Sequence, residues 1–85
     1  MANMMEFSNR VGVELYDMVV KRASEQLSGV SNFDTLTAML GATLIATANV
    51  LRGPIEAGMD PEEALNFSTR WLRTLLEPVL DKGSQ

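Results

Sequence analysis

Arg70 and Arg73, with Thr69 and Trp71 beside them, are side chains that could reach an anion. They would bring two guanidinium forks, a hydroxyl and a stacking surface. Arg52, one turn after Asn49, is a second such place. Copies of Arg52 and Asn49 from several subunits would line a shared pocket for a nucleotide or other small anion. Each group also has an explanation that needs no ligand. Arg70 and Arg73 fall on the wet side of a helix with Glu63 and Glu77, where exposed ion pairs are common and weak. Arg52 closes an uncharged stretch, where a cation suits the negative end of a helix dipole. Carboxylates offer acid–base chemistry. Glu62 and Glu63, however, complement a helix start, and Glu6, Glu14 and Asp17 each stand four residues from Arg10 or Lys21.

Nucleophilic catalysis needs a hydroxyl or thiol beside a base that titrates near neutrality. The 85 residues include no histidine and no cysteine. That removes the usual base, the commonest metal ligand, every thiolate metal site and every disulfide. No Gly-rich phosphate loop or dinucleotide fingerprint is present. The expectation is a protein that is not an enzyme and uses no metal or cofactor. A net charge of −4 and a pI near 4.6 argue against nucleic acid as a partner, since that needs clustered Lys and Arg. The first residues lack the basic and apolar regions of a secretory signal, and cysteine-free composition fits a reducing cytoplasm.

Three helical segments position these groups, and no alternating strand pattern interrupts them. The first covers about 4–28 and stops at Gly29. Its charged residues Glu6, Arg10, Glu14, Asp17 and Lys21 form one narrow face. More than half of the remaining circumference is apolar, with Phe7, Val11, Leu15 and Met18 on one part and Val13, Tyr16, Val20 and Leu27 on another. The second segment covers about 33–52, after N-cap candidates Ser31, Asn32 and Asp34. It carries no charge from Thr35 to Leu51. Its polar groups are four threonines and Asn49, scattered around the wheel, and threonine hydroxyls can bond back to their own helix. Gly53–Pro54 predicts a kink or break, with one further turn over 54–57 ended by Gly58. The third segment covers 61–77, from an Asp60 N-cap and Pro61 at the first helical position to just before Pro78. Residues 81–85 are expected to fray.

These segments predict an all-α chain: a single domain over 1–85, a small three-helix bundle, kinked like a helical hairpin, with a central apolar helix. A helix without a polar face must be covered. The first and third segments can cover at most two of its sides, and a soluble monomer does not leave a large apolar patch open. Closing the same surfaces across a two-fold axis is the commonest solution. The sequence therefore predicts a homo-oligomer, most simply a dimer, with Leu36, Leu40, Leu44, Ile45, Ala48 and Leu51 at its interface. Its work would be protein–protein contact, as an adaptor, assembly factor or inhibitor. Two other readings stand beside it. One is a ligand-sequestering oligomer with Asn49, Arg52, Arg70, Trp71 and Arg73 at the pocket or partner contact. The other is a small membrane-active protein. Against that last reading, the uncharged stretch is shorter than the ~20 residues of a span and contains threonines, Asn49 and a terminal Gly–Pro.

Overall fold

Three side-chain caps set where the helices begin. The Asn3 Oδ1 accepts the Glu6 N–H at 3.1 Å, the Ser31 Oγ accepts the Asp34 N–H at 3.1 Å, and the Asp60 Oδ1 accepts the Glu62 N–H at 3.4 Å. Each satisfies one of the N–H groups that a helix start leaves without a partner. The computed structural model describes residues 3–83, and side chains through Asp81. Within that range the chain is all-α, with α1 at Met4–Gln26, α2 at Asn32–Glu56 and α3 at Pro61–Gly83, and no strand. Ser31 takes the cap of α2 ahead of Asn32 and Asp34, the other residues competent for it.

Both internal prolines lie inside helices. α2 runs through Gly53–Pro54 to Glu56, and α3 runs through Pro78 to Gly83. Proline has no N–H, so the carbonyls of Val50 and Thr74 lose their intrahelical donors. Both residues are exposed, and water can take the place of the missing donor there, which reduces the local cost. What stops α2 is Gly58. The Met59 N–H bonds the Pro54 carbonyl at 2.9 Å and the Gly58 N–H bonds the Ile55 carbonyl at 3.1 Å. This is the paired bonding of a Schellman motif, with Gly58 in the left-handed region at φ 116°. Gly29 serves the same conformational need after α1, at φ 85°. Residues 81–83 of the expected frayed tail are helical, and 84–85 lie outside the described residues.

The chain divides into two compact units, Met1–Thr47 and Ala48–Gln85. The first is a hairpin of α1 and the part of α2 up to Thr47. Its seam is built from Leu15, Val19 and Ala23 of α1 and the Leu27 that follows its end, four residues apart, with Thr35, Met39, Thr43 and Ala46 of α2 turned inward. Only Ala23 is buried; the larger members are half-buried. The second unit holds the end of α2 and α3. There Ala64 is buried at 1% exposure, and Leu51, Ile55 and Ser68 are half-buried. Among the described residues these two alanines are the whole buried apolar set.

Candidate interaction surface

The central feature is how little of α2 is covered. No residue of this 25-residue helix is buried. Leu36, Leu40, Leu44 and Ile45 are 62%, 56%, 54% and 66% exposed. Phe33 and Val50 reach 75% and 74%. Of the other residues expected at an interface, Ala48 is exposed and Leu51 half-buried. The threonines do not make this surface polar. The Thr37 hydroxyl donates to the Phe33 carbonyl at 3.0 Å, Thr43 to Leu40 at 2.9 Å and Thr47 to Thr43 at 2.9 Å. A hydroxyl whose proton is already placed in the helix can meet an apolar neighbour at low desolvation cost.

The seam of the first unit leaves two flanks. At 100° per residue, one flank carries Met18 and Arg22 of α1 with Ala38 and Ala42 of α2. These residues, with Val19, Ala23, Gln26, Leu27 and Met39, line an open groove of about 350 Å³. Its floor is apolar and its rim carries the Arg22 guanidinium and the Gln26 amide. Ile45 lies on this same side of α2. The opposite flank carries Val13, Tyr16 and Val20 of α1 beside Leu36, Leu40 and Leu44 of α2, and none of the six is charged. Tyr16 is 63% exposed, Val13 59% and Val20 37%. Periodicity alone places these three residues on the apolar part of α1, and residue type marks Tyr16 as an anchor that interfaces favour. The signal was their i, i+3, i+7 spacing, which becomes a surface only when the hairpin sets them beside α2.

The groups suited to an anion all lie in the second unit. Arg52 donates toward Glu56 across one helical turn, Nε to Oε1 at 3.7 Å, with the side chains 71% and 69% exposed. Because α2 continues to Glu56, Arg52 does not close the helix; it sits one turn above a carboxylate that offsets its charge. Asn49 is exposed on the same helix. Arg70 lines a shallow groove of about 390 Å³ with Met59, Glu63, Asn66 and Phe67. Arg73 lies on the exposed polar side of α3, and Trp71 is 39% exposed on its apolar side. Among the described residues no hydrogen bond or ion pair joins Asn49 or Arg52 to Arg70, Trp71 or Arg73. The Glu6–Arg10, Arg10–Glu14 and Asp17–Lys21 pairs are in register on α1 but are not within ion-pair distance. No three His, Cys, Asp or Glu side chains converge as a metal set among the described residues.

The length of α2 also changes. The uncharged stretch alone is too short to span a bilayer, but the helix containing it has 25 residues and a mean hydropathy of 1.3 over its most apolar window. At 1.5 Å per residue it is about 37 Å long, enough for the ~30 Å hydrocarbon core. By length and composition it passes as a membrane span. Comparison with models of protein families, with curated proteins and with solved structures returns no match for this chain.

Proposed function

We propose that this chain is a non-enzymatic helical interaction protein that works as a homo-oligomer, most simply a dimer, in which the apolar surface around α2 completes a helical bundle. The observation that carries the reading is that α2 has no buried residue while Leu36, Leu40, Leu44 and Ile45 are each more than half exposed. Surface of that kind is covered in a working protein, because contiguous apolar patches on soluble monomers seldom exceed a few hundred Å². A chain of 85 residues with no cysteine, and no metal set among its described residues, has association as a means of reinforcement. Sedimentation equilibrium tests this. The expected result is a dimer or larger closed species at micromolar concentration, and a well-folded monomer overturns it. Leu44→Asp should dissociate or unfold the oligomer.

The length and hydropathy of α2 favour a second reading, insertion of that helix into a membrane. The hairpin opposes it. Arg22 lines the same groove as Ala38, Met39 and Ala42, so inserting α2 would bring a guanidinium, with Asp17 and Lys21 nearby on α1, to the depth of its apolar stretch. Each such charge costs about 2.5–3.5 kcal/mol on insertion scales. Flotation with liposomes separates the readings: the dimer stays in the dense fraction, and a membrane span rises with the lipid.

A further inference from the structure

We infer that the self-association surface is one flank of the α1–α2 hairpin, formed by Val13, Tyr16 and Val20 of α1 with Leu36, Leu40 and Leu44 of α2, and that its occupant is the same flank of a second copy. This rests on the homo-oligomer reading above and goes further by choosing the face, adding α1 to it and leaving Ile45 out. Charge makes the choice. The groove flank carries Arg22, and a two-fold contact there would bring each Arg22 toward its own copy in a desolvated setting. Burying cations without partners is costly. The opposite flank has no charged member, and the hydroxyls of Thr43 and Thr47 bordering it are bonded within α2. Area agrees with the choice. At the exposures found, these six side chains and Phe33 offer on the order of 500–600 Å² of apolar surface. A standard interface takes ~800 Å² per partner, and its polar rim supplies the difference. A contact built from one patch on both copies also closes on itself at two subunits.

The absence of native cysteine makes a direct test available. Single variants Val20→Cys, Leu40→Cys and Ile45→Cys would be treated with a short bismaleimide, alongside sedimentation of the unmodified chain and of Val13→Asp and Ile45→Asp. The expected result is a covalent dimer from Val20→Cys and Leu40→Cys but not from Ile45→Cys. Val13→Asp should weaken association by at least ~100-fold, and Ile45→Asp should leave it near the unmodified value. Where Val13→Asp fails to fold, the milder cysteine variants still decide. Crosslinking of Ile45→Cys as efficient as that of Leu40→Cys overturns the choice of flank while leaving self-association standing. A monomeric unmodified chain overturns self-association itself, and this inference with it.

Discussion

Truncating Leu40 separates a chain that stands alone from one that is completed by a copy of itself. Leu40 is 56% exposed in the single chain, so less than half of its side chain is sheltered. Full burial of a leucine contributes about 1.5–3 kcal/mol. In a free-standing hairpin, Leu40→Ala should therefore cost only about 1 kcal/mol, with no cavity term because the site opens to water. Covered by a second copy, Leu40 becomes a core residue, and the expected cost rises to about 2–5 kcal/mol per subunit, cavity included. The assay is urea denaturation followed by far-UV circular dichroism, at two protein concentrations about 100-fold apart. For a dimer that dilution lowers the apparent stability by about 2.7 kcal/mol. A loss near 1 kcal/mol, with a midpoint indifferent to concentration, would refute the reasoning.

Three further outcomes follow from the helix ends and the surface charges. Pro54→Ala restores the bond to the Val50 carbonyl and should raise stability by up to about 3 kcal/mol in thermal unfolding; a drop would mean that the proline is needed for packing at the end of α2. Gly58→Ala forces a Cβ into the left-handed region at φ 116° and should cost about 1 kcal/mol or more by the same measurement, although no neighbour lies within 4 Å of the added atom. Arg52→Ala removes an ion pair that is 71% and 69% exposed and should change stability by less than about 0.5 kcal/mol. A larger loss in that variant would point to a buried partner for Arg52.

Much of the fold could be read directly because its signals are local. Asp60–Pro61 marks the start of α3 through capping and proline geometry, and Gly29 and Gly58 mark ends through their positive φ. The back-bonded threonines of α2 were also expected from their short side chains. The prolines show where local reading failed. Weighed alone, Gly53–Pro54 reads as a kink or break before one further turn, and Pro78 as an end, yet both helices run on, because one missing bond at an exposed carbonyl does not outweigh the turns on either side. That misplacement hid the Arg52–Glu56 pair, since a break at Pro54 leaves Glu56 without a register against Arg52. Asn3 caps α1 two residues ahead of Met5, where apolar periodicity is too short to mark a helix start. The division of the hairpin into a charged flank and an uncharged one depends on which sides of α1 and α2 meet. Sequence periodicity gives the sides of each helix but not their pairing.

The inward-tied hydroxyls of α2 have a consequence for recognition. A contact surface whose threonine protons are already bonded within their own helix, with the Tyr16 hydroxyl as the polar group among its six residues, has few polar pairs to fix its alignment, so selectivity rests mainly on the shapes of leucine, valine and tyrosine side chains. Such a surface discriminates by volume, and a single added or removed methyl group on it should alter which partners are accepted more than any change of charge at its edge.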